Sequence, residues 1–348
     1  DKPEAFEALP ANDQPLPKIS STDISYIQST SGSTRFPRGV VIKHETALAN
    51  LQGIISHGLM MNGDDRMMSW LPFYHDMGLV GFMLVPMAAQ VSIDYLDTRE
   101  FAMRPRQWLE LMTRSRATIS FAPSFGYDLC ARRVRPSDLA NYDLSNWRVA
   151  GIGAEMIRPD TLEYFAELLQ PCGFDRRAFL ACYGMAECTL GVSFSPLWTG
   201  FTTHHIDSDH LSDHHRAVLL EESDRQGRGR HFVNCGVPLP NFEVQIRDDE
   251  ETVLEAWHSG VINLRGPRLM SGYINLPEES SHALDDDGWL NTGDIGYLVN
   301  GVLTITGRKK DLIIIHGRNI WPQDLEHIAE SEPEVRSGDS VAYSVPDH

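Results

Sequence analysis

The feature that most constrains this chain is an alternation. From Ile24 to Glu187, short apolar runs of strand character take turns with longer segments of helical period, and polar stretches containing Gly, Pro or Ser punctuate them. Ile24–Gln28, Val40–Ile42, Met67–Leu71, Thr118–Phe121, Trp147–Ile152 and Phe179–Cys182 read as strands. Glu45–His57, Leu79–Met87, Pro105–Ser115 and Thr161–Leu169 read as helices; the third places Trp108, Leu111 and Met112 at helical spacing. Such a series buries both faces of its strands only as an α/β fold, a mostly parallel sheet with flanking helices. In such sheets ligands gather at the carboxyl ends of strands. Four polar stretches are expected there: Thr30–Thr34, Pro72–Gly78, Gly153–Glu155 and Tyr183–Glu187.

The first of these has the chemistry to hold a polyphosphate. Thr30, Ser31, Ser33 and Thr34 offer hydroxyls, Gly32 lets the backbone approach closely, and Arg35 and Arg38 supply positive charge. It is not a Walker A loop, since G-x-x-x-x-G-K-[ST] is absent. Alone, the run reads more readily as a solvated loop.

After Glu187 the texture changes. Phe194–Phe232 is polar, irregular and rich in histidine. Short strands then follow at Glu243–Arg247, Gly260–Arg265, Gly296–Val299 and Val302–Thr306, with a hairpin signal at Asn300-Gly301. This predicts a small antiparallel, barrel-like β subdomain. The charged joint Gly307–Asp311 precedes a new strand at Leu312–Ile315, the start of a small α+β C-terminal domain. The expected organisation is a lead at 1–23, an α/β unit at 24–193, a β-rich unit at 194–310 and the opening of a further domain at 311–348. Both ends read as cut from something longer, with a Pro-rich linker at Leu9–Pro17 and a stop just after a strand.

Composition narrows the function. The net charge of −18 argues against nucleic-acid binding, which needs a basic face. No apolar run reaches the roughly 18 residues of a membrane span, and no signal peptide is visible. The five cysteines, Cys130, Cys172, Cys182, Cys188 and Cys235, form no C-x-x-C pair and fit a reducing cytoplasm. His204, His205, His210, His214 and His215 could in principle bind zinc, but they lack a cysteine partner and a fixed helical register, so a loop is the expected reading.

Seven stretches occur together in order: Thr30–Gly39, Trp70–Leu79, Gly153–Glu155, Tyr183–Glu187, Gly266-Pro267 with Gly272-Tyr273, Trp289–Asp294 and Gly307–Ile313. This order resembles the adenylate-forming enzymes (acyl-CoA synthetases, peptide-synthetase adenylation domains, luciferases). Ser31–Gly39, Trp70–Leu79 and Gly317–Asp324 resemble the fatty acyl-AMP ligase branch in particular. The resemblance implies ATP and Mg²⁺ as cofactors. A fatty acid would become acyl-adenylate, with release of pyrophosphate, and the acyl group would pass to the phosphopantetheine thiol of an acyl carrier protein. An acyl-CoA synthetase, or a nucleotide-binding remnant, is the alternative.

Residue roles follow from the resemblance. Thr30, Ser31, Gly32, Ser33 and Thr34 would hold the β- and γ-phosphates. Arg38 stands where many relatives have lysine and keeps the charge. Glu187 would hold Mg²⁺. Tyr183, within Cys182-Tyr183-Gly184-Met185-Ala186, would stack on adenine, with Gly153, Ala154 and Glu155 on its opposite face. Asp294 and Arg308 would bind ribose. His75 would orient the carboxylate and α-phosphate. Met77, Phe125, Gly126 and Tyr127 would border the acyl pocket, and Asp311 would be the hinge. Two features depart from the pattern: the C-terminal adenylation lysine of the family would fall beyond His348, and the usual N-terminal portion is missing before Asp1. A fragment of this kind is expected to bind nucleotide while being poor at adenylation.

Overall fold

The computed structural model describes residues 15, 17–30, 37–221, 229–315, 318–330, 332, 334–335 and 340–345. Its central element is a seven-stranded sheet in the order β11 (Val237–Pro238), β8 (Gly191–Phe194), β7 (Phe179–Gly184), β6 (Val149–Ile152), β5 (Ile119–Ala122), β3 (Arg66–Ser69), β4 (Ser92–Tyr95). From β7 to β4 all neighbours run parallel, while β8 and β11 are antiparallel additions. β5 and β6 are buried along their whole length, which is why they read as unbroken apolar runs. Below them Trp108, Tyr127, Trp147, Phe165, Phe174 and Phe179 pack edge-to-face as an aromatic core.

Two strands expected in this sheet lie elsewhere. β1 (Ile24–Ser29) pairs antiparallel with β2 (Gly39–Lys43) as a separate two-stranded ribbon. Thr30 therefore follows a strand of an antiparallel ribbon, not the carboxyl end of a parallel strand. Hydrophobic alternation gives strand identity but not the partner, and β2 follows too soon for a crossover connection.

Two α-helices of the α/β unit were not legible. Thr98–Met103 is capped by Asp97, whose side chain accepts from the N–H groups of Arg99 and Glu100. Ser124–Ala131 begins where an extended loop was expected. The segment expected to be irregular carries β9 (Thr203–Asp207) and the helix Ser208–His214, and β9 pairs with β10 (Gly229–Val233). Ile206, Leu211, Ala217, Phe232, Tyr297 and Val299 form a small core there.

β12 (Glu243–Arg247), β13 (Gly260–Arg265), β14 (Leu290–Val299) and β15 (Val302–Arg308) make an open antiparallel meander. The expected Asn300-Gly301 turn joins β14 to β15, with φ of +50° and +78°, the left-handed pair that a two-residue hairpin requires. Beyond it lie the β16 (Ile313–Ile315) and β17 (Arg318–Ile320) ribbon and the helix Pro322–Glu330. No helix among the described residues is long and apolar enough to cross a membrane.

Candidate active site

Strand ends, the β1–β2 hairpin and the meander converge on one cavity of about 510 Å³. β7 contributes most, because its chain continues from Cys182 through Glu187 along the wall. Two backbone features shape this turn. A Cβ on Gly184 would sit 2.0 Å from the Leu190 carbonyl oxygen, so only glycine lets β7 and the return strand meet. Thr189, two residues past Glu187, holds φ +70° and ψ −59° while wholly buried, a strained conformation beside a candidate functional group.

Glu187 is sunk in this wall. Burial raises its proton affinity above the ordinary carboxylate value, and the nearby Asp76 and Asp294 add to this, against a hydrogen bond that Tyr273 Oη donates to its Oε1 at 2.8 Å. A desolvated carboxylate with one oxygen satisfied by a neutral donor suits a hard divalent cation such as Mg²⁺. Arg38 faces it from the hairpin, and Arg308 and Lys310 line the same cavity. The hairpin mouth closes on itself: Thr30 N–H donates to the Arg38 carbonyl at 2.9 Å, and Arg38 N–H to Thr30 Oγ1 at 3.2 Å.

His75 enters from the loop after β3. Its Nδ1 lies 2.7 Å from Asp76 Oδ1. The hydrogen bond and charge of Asp76 hold the imidazole above its ordinary pKa, against the opposing effect of burial. Gln28 Nε2 donates to the Tyr74 carbonyl at 3.1 Å and ties this loop to β1.

Asp294, buried at the start of the β14–β15 ladder, accepts from Tyr183 Oη at 2.6 Å and from Arg308 Nε at 2.9 Å. Each carboxylate oxygen thus has one partner already and keeps a lone pair for another donor. Asp294, Glu155 and Asp311 line a second cavity of about 920 Å³, whose wall shares Ala154, Cys182, Tyr183, Gly184 and Arg308 with the first.

The structure brings Thr30, Arg38, His75, Met77, Ala154, Cys182, Tyr183, Gly184, Met185, Ala186, Glu187 and Arg308 to the first cavity. Gly153 lies buried beneath it, where a Cβ would meet Cys182 Sγ at 2.9 Å. Ser31, Gly32, Ser33 and Thr34 fall outside the described residues. Three residues assigned to the acyl pocket are elsewhere. Phe125 is half-exposed and packs on the edge of Trp70, while its N–H donates to Glu155 at 2.9 Å. A Cβ on Gly126 would sit 2.7 Å from Trp70. Tyr127 is fully buried in the aromatic core, and its hydroxyl donates to the Gly151 carbonyl. The helix Ser124–Ala131 turns Gly126 and Tyr127 into the core and leaves Phe125 half-exposed outside the first cavity. The apolar wall of the first cavity comes instead from Ile54, Leu59, Met67, Phe82, Phe121, Leu190 and Phe194. Ile54 and Phe82 lie in two π-helical turns: Ile54–Gly58 ends the helix His44–Gly53, and Val80–Leu84 interrupts the helix that runs from Asp76–Leu79 to Val85–Ala89. Such turns cluster at functional sites, but a 3.6-residue pattern conceals them.

The family model for AMP-binding enzymes matches residues 1–274. A Caulobacter vibrioides protein provisionally named an acyl-CoA synthetase is 46% identical over 95% of this chain and 58% of its own length. The medium-chain-fatty-acid–[acyl-carrier-protein] ligase JamA of Moorena producens is 35% identical over 94% of this chain and 57% of its own length. A solved structure from a study of fatty acyl-adenylate ligases of E. coli and L. pneumophila superposes with a TM-score of 0.91 at 51% identity, covering 97% of this chain and 60% of that one. The chain thus spans somewhat over half the length of these relatives, and it belongs to the family of AMP-binding, adenylate-forming enzymes.

Proposed function

We propose that this chain forms the nucleotide- and acyl-binding part of a fatty acyl-AMP ligase. The observation that carries this reading is the double character of the first cavity. Arg38, Arg308 and Lys310 supply positive charge suited to a polyphosphate, Glu187 supplies a carboxylate suited to Mg²⁺, and Ile54, Leu59, Phe82, Phe121, Leu190 and Phe194 supply an apolar wall suited to an alkyl chain. A carboxylate oxygen of the fatty acid attacks the α-phosphorus of ATP. The bond to the bridging oxygen breaks, and pyrophosphate leaves. Attack of one anion on another needs neutralised charge and in-line placement. Arg38 and the hydroxyl of Thr30 serve the phosphates, His75 orients the carboxylate, and Asp294 with Arg308 holds the ribose. Mg²⁺ bound at Glu187 would supply further neutralisation of the phosphate oxygens. Tyr183, with its hydroxyl held by Asp294, presents a fixed ring edge or face to adenine.

In the second half-reaction the phosphopantetheine sulfur of an acyl carrier protein attacks the acyl carbon, loses its proton and displaces AMP. The name of JamA supports this acceptor. The name of the Caulobacter relative favours coenzyme A instead, as an acyl-CoA synthetase. A reducing, cytoplasmic setting accords with the five cysteines, all free thiols. The test supplies the full-length gene product with ATP, Mg²⁺ and fatty acids, and offers coenzyme A and a phosphopantetheinylated carrier protein in parallel. Acyl-carrier product with little acyl-CoA is expected. Abundant acyl-CoA would move the protein to the synthetases, and absence of acyl-adenylate would overturn both readings.

A further inference from the structure

The phosphate end of the cavity is assembled from two pieces with no local connection: the hairpin, which carries Arg38, and the β7 turn, which carries Glu187. One short segment joins them. Along residues 270–274, Met270 N–H donates to the Glu187 carbonyl at 2.7 Å. Ser271 N–H then donates to the Val41 carbonyl at 3.0 Å, the Gly272 carbonyl accepts from Val41 N–H at 3.0 Å, and Ile274 N–H donates to the Gly39 carbonyl at 2.8 Å. Val40 and Tyr273 face each other as an antiparallel bridge. The approach is so close that a Cβ on Gly39 would meet Ile274 Cγ2 at 2.7 Å.

Tyr273 stands at the centre of this join. It is 8% exposed, and its hydroxyl donates to Glu187 Oε1 at 2.8 Å. The guanidinium carbon of Arg38 lies 5.1 Å from the centre of its ring. Its own N–H is fixed by Ser280 Oγ at 2.8 Å. We propose that Tyr273 is a positioning residue that holds the Glu187 carboxylate and the Arg38 guanidinium in register across the phosphate end of the cavity. This rests on the reading of that end as the ATP site.

The chemistry of a phenol suits the task. It donates to a carboxylate without bringing a charge that would compete with a metal ion. It occupies one carboxylate oxygen, and Arg38 is seated both over its ring and by a hydrogen bond to its hydroxyl. A lysine here would neutralise Glu187, and a phenylalanine would leave its inner oxygen unsatisfied.

The experiment compares Tyr273→Phe, Tyr273→Leu, Glu187→Gln and the Tyr273→Phe/Glu187→Gln double variant in the full-length gene product. Melting temperatures establish that each is folded. ATP affinity is measured by calorimetry with and without Mg²⁺, and KM and kcat are measured for ATP and for the fatty acid. Tyr273→Phe keeps the ring beneath Arg38, so ATP affinity without Mg²⁺ is expected to fall less than in Tyr273→Leu. The gain in affinity on adding Mg²⁺ falls about tenfold or more, the effect of losing a hydrogen bond to a charged group. KM for the fatty acid stays within about twofold. Added to Glu187→Gln, the Phe substitution costs almost nothing more, because both changes act through one carboxylate. Tyr273→Leu also weakens Mg²⁺-free ATP binding, since Arg38 loses its seat. An unchanged Mg²⁺ gain in Tyr273→Phe, or effects of the two substitutions that simply add, would overturn the proposal. The binding arm needs no fatty acid, so a wild type that binds Mg·ATP yet forms no acyl-adenylate would count against the ligase reading while the role of Tyr273 is still decided.

Discussion

Replacing Arg148 by methionine should destabilise the protein in a way that depends on pH. Asp65 is 2% exposed and accepts from Arg148 Nε at 2.7 Å, Arg148 Nη2 at 2.6 Å, Thr118 Oγ1 at 2.7 Å and Asn62 N–H at 2.9 Å. Burial pushes its pKa up, but the hydrogen bonds from Arg148, Thr118 and Asn62, with the Arg148 charge, hold it below the ordinary value. Methionine keeps most of the stem packing and removes the cation. The carboxylate then stays buried with two neutral donors, and breaking a buried pair in this way costs about 3–5 kcal/mol. In the wild type the depressed pKa gives stability that is present above the unfolded-state value and lost as pH falls through the folded-state value. In Arg148→Met burial raises the Asp65 pKa, so protonation relieves the strain, and the gap between the two proteins narrows between pH 7 and pH 4. Urea unfolding read by tryptophan fluorescence is the assay, and Trp147, adjacent in sequence and wholly buried, is a reporter close to the site. Arg148 Nη2 also donates to the carbonyl of Leu59 at 3.1 Å, and Leu59 lines the first cavity, so apolar-ligand affinity should fall as well. A loss below about 1 kcal/mol at pH 7, or an equal loss at both pH values, would refute the reasoning.

Asp76→Asn should lower the His75 pKa, read by NMR titration of the imidazole; in the wild type the contribution of this pair to stability is complete below about pH 6.5 and fades as pH rises through the elevated folded-state value, and an unmoved titration would count against the pairing. Gly184→Ala places a Cβ 2.0 Å from the Leu190 carbonyl oxygen, and the forced shift should cost about 1–3 kcal/mol and abolish ATP binding by calorimetry. Phe121→Ala should cost about 3–5 kcal/mol and move the preference toward longer fatty acids in competition assays, because Phe121 is part of the apolar wall. Arg158→Ala breaks the 2.8 Å bridge to Glu330, whose side chain is 5% exposed, and should raise amide hydrogen exchange in the helix Pro322–Glu330.

The sequence made the parallel core legible because β5, β6 and β7 are buried on both faces, and burial on both faces leaves a run of apolar letters that nothing on the surface imitates. The stretches at Gly153–Glu155 and Tyr183–Glu187 were placed by the same logic, as the polar ends of such runs. What could not be read is whatever depends on a partner distant in sequence. β1 and β2 carry ordinary strand residues, and it is the contacts of Gly39 and Val41 with residues 271–274 that set the hairpin beside Glu187. The misplacement of Gly126 and Tyr127 has a local cause: a helix begins at Ser124 without an obvious cap, and it rotates Tyr127 into the aromatic core. Ile54 and Phe82 escaped notice because an amphipathic helix pattern assigns buried residues to the core and cannot tell a core from the wall of a cavity.

The bridge between Val40 and Tyr273 also bears on how the chain folds. The parallel strands β3 to β7 pair with partners only a few tens of residues away in sequence. The phosphate end of the cavity is different: it exists only after residue 273 has returned to residue 40 across most of the chain, the kind of distant closure that forms slowly. On the ribosome this segment emerges long after β3 to β7. A nascent chain would therefore carry a finished sheet and an open, apolar-walled trough before it could bind any nucleotide. ATP present during synthesis would then select chains whose last closure is correct, and refolding yield should rise with nucleotide even where the rate of sheet formation does not.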